Sequence, residues 1–304
     1  MTYIYRLAGD DMELAEAELN GFLSAIGADE KADRRRRIAF TETHPDQLRR
    51  LALVHEISEK LENGMETDYR PDGSFAVRAE DLTGEKDAKE LERELGEKLL
   101  TDSNSVNLEN PGEVINAYIL EDEIIVAKRV LKIDRGLFRL RRNQERSFQS
   151  PVSLDPVLAR VLVNLSEVSP GEKLLDPFCG TGGVLIEAGL CGIDVYGTDI
   201  QHDMVEGTKE NLENYGIINH HVEKADIEEV TDLFDFRFDA VVTDLPYGKA
   251  SKKTGEPVKK FLDSLDSLCK GKAVFMSNEE SLEGLEPEFE VYVHRNLTRY
   301  IYTI

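Results

Sequence analysis

The stretch KLLDPFCGTGGVLIEAGL, residues 173–190, decides the fold class of this chain. An apolar strand pattern ends in Asp176, a loop with Gly180, Gly182 and Gly183 follows, and the helix pattern GGVLIEAGL covers residues 182–190. Glycines let the backbone approach a ligand closely, and the first turn of a helix presents unpaired N–H groups. We therefore expect a strand–loop–helix unit with a binding site at the end of the strand.

Strands and helices alternate around this unit. The pattern predicts helices at residues 154–168, 203–215 and 257–269 and strands at 193–199, 221–226, 238–244 and 272–278. Such alternation is typical of βαβ units and a mostly parallel sheet. The last two strand patterns, 288–296 and 298–304, are joined tightly enough for an antiparallel hairpin. We predict a doubly wound α/β fold with a terminal antiparallel hairpin.

The N-terminal half has an α+β pattern. Strands are predicted at residues 2–8, 36–42 and 73–82 and twice within 113–130, and helices at 12–26, 46–61 and 87–100. Residues 135–156 are basic and contain two prolines, which is the composition of a linker between the two halves.

Carboxylates end the later strands of the α/β half. In open α/β sheets, ligands bind at the carboxyl ends of the strands. Asp199 lies 19 residues after Gly180 and is placed to accept from both hydroxyls of a ribose. Asp226 is placed to meet an adenine amino group, and Asp244 ends a further strand.

The glycine loop by itself is compatible with several cofactors. A dinucleotide fingerprint would need glycine at Leu185, and the Gly-Lys-Ser/Thr of a P-loop is absent. A loop preceded by its own acid, here Asp176, is the pattern of S-adenosylmethionine enzymes. Asp176 would order the loop or meet the methionine end of the cofactor.

The stretch VVTDLPYGKAS, residues 241–251, resembles the [D/N]-P-P-[Y/F] motif of methyltransferases that act on exocyclic amino groups. An aryl amine is a poor nucleophile, so acceptors at Asp244 and the Leu245 carbonyl would hold its nitrogen in line and favour the developing positive charge. Pro246 would fix the turn, and Tyr247 would stack on a base flipped out of its helix. The chain departs from the motif at Leu245, where proline is usual.

The net charge of −23 argues against nucleic acid as a partner, because affinity for phosphate comes largely from lysine and arginine. The distribution of charge points the other way. Basic residues concentrate in three islands, at 34–37, 128–146 and 249–260.

Other classes of protein find little support. The three cysteines form no C-x-x-C pair, and the six histidines give no metal-ligand spacing, so we expect no metal. No apolar run approaches the roughly 18 residues of a membrane span, and the N-terminus lacks the features of a signal peptide. We expect a soluble cytoplasmic protein.

With both motifs in place, nearly the whole chain resembles the archaeal tRNA guanine-N2 methyltransferases that modify guanosine 10. Besides the two central motifs, SPVSLDPVLARVLVNLS resembles the helix before the family's cofactor loop, and HRNLTRYIY resembles its closing hairpin. RLALVHEI and FAVRAEDL resemble parts of its ferredoxin-like and THUMP domains. The resemblance implies a ferredoxin-like domain at 1–55, a THUMP domain at 56–140, a linker at 141–155 and a Rossmann-like class I methyltransferase domain at 156–304.

The resemblance also implies a cofactor, a partner and site residues. The cofactor is S-adenosylmethionine and the partner is tRNA, with no membrane, no obligatory protein partner and a monomeric state expected. The cofactor-binding residues are predicted to be Asp176, Phe178, Gly180, Thr181, Gly182, Asp199, Ile200, Asp226 and Ile227. The catalytic residues are predicted to be Asp244, Leu245, Pro246 and Tyr247. The RNA-binding residues are predicted to be Arg139, Arg141, Arg142, Lys249, Lys252, Lys253 and Arg299.

Two alternatives remain at this point. The catalytic motif also permits guanine elsewhere in tRNA or rRNA, or adenine N6 in DNA, although the N-terminal half argues against DNA. A non-enzymatic RNA-binding protein with the same fold is the second alternative, but such a protein needs neither Asp244 nor the glycine loop. One methyl group or two on the same nitrogen depends on the room beside Asp244.

Overall fold

A computed structural model of the 304-residue chain describes residues 1–44, 48–151, 153–246, 256–294 and 297–304. The chain divides into two compact units. The first comprises residues 1–16, 30–49 and 53–134, and the second comprises residues 17–29, 50–52 and 135–304. Residues 141–155, expected to form a linker, thus belong to the second unit. The division of residues 1–140 into a ferredoxin-like and a THUMP domain stays a prediction.

The first unit is built on an eight-stranded sheet with the strand order β2-β3-β1-β4-β8-β7-β5-β6. The strands are β1 (Tyr3–Leu7), β2 (Asp33–Arg35), β3 (Ile38–Thr41), β4 (Val54–Lys60), β5 (Ser74–Asp81), β6 (Ser105–Val106), β7 (Glu113–Ile119) and β8 (Ile124–Lys132). Helix α1 (Met12–Ala25) begins in this unit. Helix α2 (Ala88–Leu99) is capped by Asp87, whose side chain accepts from the N–H of Lys89. Leu91, Leu95 and Leu99 bury one face of α2 in the core.

The helix predicted at residues 46–61 is wrong. The structure has a 3-10 turn at Leu48–Arg50 and then the strand β4. Apolar residues recur there at helical spacing, but Val54 and Ile57 are β-branched and fit a pleated sheet. Strand β4 pairs antiparallel with both β1 and β8. Long-range pairing in the centre of the sheet therefore overrides the local periodicity.

The second unit contains the predicted α/β fold. Its strands are β9 (Lys173–Asp176), β10 (Asp194–Asp199), β11 (His220–Lys224), β12 (Phe238–Asp244), β13 (Cys269–Ser277), β14 (Phe289–His294) and β15 (Leu297–Thr303). Its helices are α3 (Pro156–Leu165), α4 (Gly183–Gly189), α5 (His202–Asn214), α6 (Val230–Leu233) and α7 (Glu256–Leu268). The sheet order is β11-β10-β9-β12-β13-β15-β14.

The sheet direction fixes where a ligand can bind. Strands β9 to β13 are parallel, whereas β15 runs antiparallel to both β13 and β14. The chain proceeds outward from β9 to β11 and then returns to the other side of β9 with β12. The gap between the ends of β9 and β12 is therefore the topological switch point, where open α/β sheets bind ligands. The terminal hairpin, β14 and β15, extends the sheet beyond β13 as predicted.

Apolar side chains hold α7 against this sheet. Phe261, Leu265 and Leu268 of the helix are buried in one cluster with Val241 and Phe275 of the strands. This packing places the beginning of α7 near the switch point. Among the described residues, no helix combines the length and the apolar composition that crossing a membrane requires.

Candidate active site

The loop after β9 is ordered by its own hydrogen bonds and by the neighbouring strand β10. Gly180 and Gly182 have φ values of +52° and +79°, which other residues adopt only with strain. The Gly180 N–H donates to Asp199 Oδ2 at 3.1 Å, and Thr208 Oγ1 donates to the Gly180 carbonyl at 2.6 Å. A side chain at Gly182 would meet Thr208 at 2.9 Å. The loop thus keeps its backbone open at the amino end of α4.

Asp176 lies at the bottom of the site and is only 2% exposed. Its Oδ1 accepts from Thr243 Oγ1 at 2.6 Å and from the Phe178 N–H at 3.2 Å. Burial raises the pKa of Asp176 to about 7, against these hydrogen bonds and with a smaller contribution from Asp199. A positive charge in the cavity would favour the ionised form of this carboxyl.

Asp199 is the last residue of β10, and Asp226 lies two residues after the end of β11. Asp199 Oδ1 accepts from the Gln201 N–H at 2.9 Å, in addition to the bond from the glycine loop. Asp226 caps the short 3-10 turn Ile227–Glu229, and its Oδ1 accepts from the Glu228 N–H at 3.3 Å. Both carboxylates therefore have one fixed orientation.

Asp244 ends β12 on the other side of the switch point. Its Oδ1 contacts the guanidinium of Arg299 from β15, and the exposed fractions of the two side chains are 18% and 3%. The next residue, Leu245, donates its N–H to the Met276 carbonyl at 2.9 Å and buries its side chain in the core. The pairing of β12 with β13 thus fixes the main chain at Asp244 and Leu245.

One cavity of about 600 Å³ brings most of the predicted site together. Its lining includes the predicted residues Asp176, Phe178, Gly180, Thr181, Asp199, Ile200, Asp226, Ile227, Asp244, Leu245 and Pro246. Gly182 does not line it but shapes the loop that does. Both motifs therefore share one cavity at the switch point. The volume of this cavity lies in the range of small-molecule binding sites.

Comparison with known proteins identifies the family. Residues 143–287 match the family model described as "RMKL-like, methyltransferase domain". The tRNA (guanine(10)-N2)-dimethyltransferase of Methanothermobacter thermautotrophicus is 38% identical over 282 residues, which cover 84% of this chain and 83% of the relative. The protein of the same name from Methanocaldococcus jannaschii is 30% identical and covers 98% of both chains.

The chain belongs to the tRNA (guanine(10)-N2)-dimethyltransferase family. The family predicted from the two motifs is therefore confirmed. The structure of TrmN from Thermus thermophilus has a TM-score of 0.56 at 21% identity, and the match covers 100% of this chain and 99% of that one. This likeness shows the fold, and together with the matching methyltransferase-domain model it confirms the predicted Rossmann-like fold class.

The predicted RNA-binding residues differ in their exposure to solvent. Arg139 and Arg142 are exposed, with Arg142 Nε 3.7 Å from Asp155 Oδ2. Arg141 is largely buried, and its guanidinium pairs with Glu187. Tyr247, Lys249, Lys252 and Lys253 lie outside the described residues.

Arg299 differs most from its expected position. The sequence suggested a phosphate-facing arginine at the end of the chain. The structure instead buries it, and its guanidinium contacts Asp244. The pattern HRNLTRYIY does not indicate the burial of Arg299 or its contact with Asp244. The two residues are 55 positions apart in sequence, and the pairing of β12, β13 and β15 brings them together.

The stretch predicted as a linker contributes to the cavity. Arg146 is 3% exposed, and its Nη1 donates to Thr181 Oγ1 at 3.1 Å and to Ser153 Oγ at 2.8 Å. Asn211 donates to the carbonyls of Phe148 and Thr181 at 2.9 and 3.0 Å. This segment therefore fixes the glycine loop from outside, which composition alone did not indicate.

Several further residues of the lining were missed. They are Ser150, Ser153, Leu154, Cys179, Val184, Gln201, Met204, Pro257 and Lys260. Gln201 and Met204 follow Asp199 so closely that the strand-end rule would have found them. Pro257 and Lys260 come from α7, and only the packing of that helix places them at the cavity. Cys179 is buried, and burial raises the pKa of its thiol.

Proposed function

We propose that this enzyme transfers a methyl group from S-adenosylmethionine to the exocyclic N2 of guanosine 10 in tRNA. The observation that carries the proposal is the shared cavity: the glycine loop after β9 and the Asp244 carboxylate after β12 face the same space across the switch point. A cofactor bound on the loop and an amine held by Asp244 would meet there.

The lining suits S-adenosylmethionine by charge and shape. Four aspartates contribute to it, Asp176, Asp199, Asp226 and Asp244, and its one lysine among the described residues pairs with Glu228. When bound, the cofactor supplies an electrophilic methyl group on a sulfonium cation, and carboxylates stabilise such a charge in a partly buried cavity.

Individual residues would hold different parts of the cofactor. Asp199 keeps acceptor capacity for ribose hydroxyls beyond its two backbone bonds. Asp226 would accept from the adenine amino group. Ile200 is 61% exposed at this cavity, and an exposed apolar side chain there suits the face of a planar base. The open backbone at Gly180 would let the methionine part approach the N–H groups of α4.

The reacting amine would be held by the residues after β12. The Asp244 carboxylate would accept a hydrogen bond from guanine N2, align the nitrogen with the methyl group and stabilise the positive charge that develops on it. The Leu245 carbonyl would be a second acceptor, and Pro246 restricts the turn that carries both. Tyr247 would supply the stacking surface for the flipped base.

The tRNA substrate rests on the family. Two relatives that match most of their length carry the name tRNA (guanine(10)-N2)-dimethyltransferase. The first unit would provide tRNA contacts outside the catalytic unit, and Arg139 and Arg142 are exposed cations beside the cavity-forming segment. Both one and two methyl groups on N2 are compatible with the proposal.

The test uses purified protein, a tRNA transcript and methyl-labelled S-adenosylmethionine, followed by digestion and nucleoside analysis. A transcript with adenosine in place of guanosine 10 is the matched control. We expect label in N2-methylguanosine or N2,N2-dimethylguanosine that is lost in the control. Label that persists in the control would move the target to another nucleotide, and no label in any transcript would contradict the proposed reaction.

A further inference from the structure

The terminal hairpin brings one arginine to the end of β12. Asp244 pairs with Met276 of β13, and Met276 pairs with Ile301 of β15. Because β15 runs antiparallel to the other two strands, its beginning lies at the carboxyl edge of the sheet, where the cavity is. Arg299 lies two residues before Ile301 and so extends past this row toward Asp244.

The contact gives the two oxygens of the Asp244 carboxylate different environments. Oδ1 is fully buried and contacts Arg299, whereas the side chain as a whole is 18% exposed and lines the cavity. The exposure therefore falls on the remaining atoms, which include Oδ2. Burial lowers the pKa of Arg299 to about 10, so the guanidinium stays protonated at neutral pH.

We infer that Arg299 is a positioning residue that holds the Asp244 carboxylate ionised and turned so that Oδ2 accepts from the guanine amino group. The inference rests on the proposed function of Asp244. The Asp244 carboxylate has to accept a hydrogen bond from an amine that approaches from the cavity. A fixed partner on its other oxygen sets the side-chain rotamer before the substrate binds. The cation also opposes uptake of a proton by Asp244.

This role differs from the phosphate contact that the sequence suggested. A guanidinium that is 3% exposed has no face for a phosphate, and moving it outward would leave the Asp244 carboxylate without its charged partner. It also explains why the hairpin is part of the site: the parallel strands alone supply the acceptor, and the antiparallel strand β15 supplies the group that orients it.

The test is a double-mutant cycle on methylation of the tRNA transcript, measured as initial rates over a range of tRNA concentrations at saturating S-adenosylmethionine. The variants are Arg299→Met, Asp244→Asn, the pair together, and Arg299→Lys as the conservative change. Affinity for S-adenosylhomocysteine, measured by calorimetry, reports whether the cavity remains folded in each variant. The Arg237→Met variant is the matched control and should keep the wild-type rate, since it removes an exposed arginine of the same unit at the opposite end of β12 from Asp244.

We expect Arg299→Met to slow the rate constant at saturating tRNA on the order of 10²-fold, with the KM for tRNA changed less than about threefold. Arg299→Lys should recover much of the rate. The pair should be about as slow as Asp244→Asn alone, because a residue that acts through Asp244 has nothing left to position. S-adenosylhomocysteine should bind all variants about equally.

Three results would overturn the inference. Effects of the two substitutions that multiply would mean that Arg299 acts independently of Asp244. A raised KM with an unchanged rate constant would make Arg299 an RNA contact. A faster Arg299→Met enzyme would make the contact a block on the site. A wild-type enzyme that leaves tRNA unlabelled would instead contradict the proposed function itself, and the inference with it.

Discussion

Two carboxylates of the catalytic unit are paired with buried arginine, and they differ in what remains open. Glu187 of α4 is 1% exposed, with Oε1 2.6 Å from Arg141 Nε and Oε2 2.8 Å from Arg160 Nη2. Asp244 has Arg299 on one oxygen and remains 18% exposed at the cavity. Arginine therefore contacts both oxygens of the Glu187 carboxylate, whereas it contacts one oxygen of the Asp244 carboxylate and leaves that side chain partly exposed.

This difference separates a structural ion pair from the one for which we propose a function. Both oxygens of Glu187 pair with arginine and the side chain is only 1% exposed, so a ligand cannot reach it. Its ion pairs join α4 to Arg160 of α3 and to Arg141. Asp244 keeps one side toward the space where substrate is proposed to bind. Substitutions at Glu187 should act on stability, whereas substitutions at Asp244 should act on the reaction.

The largest effect on stability is expected for Glu187→Gln. The substitution keeps the shape but removes the negative charge that pairs with two largely buried arginines, and breaking a buried ion pair in this way typically costs about 3–5 kcal/mol. Urea unfolding of the variant and the wild type would measure it. A loss below about 1 kcal/mol would mean that the two arginines find other partners and that the comparison with Asp244 fails.

Asp176 sharpens the comparison because it is a buried carboxyl that no arginine contacts in the described structure. Burial raises its pKa from 3.8 to about 7, so between these values the folded state binds more protons than the unfolded state. Stability contributed by this group is therefore greatest at low pH and decreases as pH rises through that window. Asp176→Asn binds no proton and should lose this dependence.

We expect the unfolding free energy of Asp176→Asn, relative to wild type, to increase by on the order of 2 kcal/mol from about pH 5 to about pH 8. Asparagine preserves an acceptor for Thr243 and Phe178, which limits other effects. Denaturant titrations at the two pH values give the difference directly. A difference that is the same at both would contradict the raised pKa.

The smallest effect on stability is expected at the exposed pair Arg142–Asp155, where the distance is 3.7 Å and the side chains are 56% and 42% exposed. Exposed pairs contribute about 0–1 kcal/mol, so Arg142→Ala should leave the unfolding free energy nearly unchanged. If Arg142 contacts phosphate, tRNA affinity should fall and its salt dependence should become shallower. Filter binding at several salt concentrations would measure both, and unchanged binding would remove Arg142 from the interface.

The sequence predicted the catalytic unit closely for a physical reason. Its strands are short apolar runs that end in aspartate, and in a parallel sheet those ends converge, so Asp176, Asp199 and Asp244 could be placed at one site from local pattern alone. Each of the two motifs proposed to carry the chemistry is one contiguous stretch of sequence. No long-range information was needed to find them.

Where local pattern failed, long-range contacts decide. Strand β4 reads as a helix by spacing but is held by β1 and β8. Arg146 lies in a stretch with the composition of a linker, yet hydrogen bonds to Thr181 and Ser153 make it part of the loop support. Arg299 reaches Asp244 only through the register of three strands, and no local signal distinguishes it from an exposed cation.

The most direct test of the account is the single-turnover methylation rate of Asp244→Asn, measured beside Glu187→Gln on the same tRNA transcript. Arg299 should select the asparagine carbonyl and leave its amide, a donor, toward the guanine amine. We predict a rate on the order of 10³-fold lower for Asp244→Asn with unchanged S-adenosylhomocysteine binding, and a near wild-type rate for folded Glu187→Gln. Equal rates for the two variants would contradict the distinction between the open and the closed carboxylate.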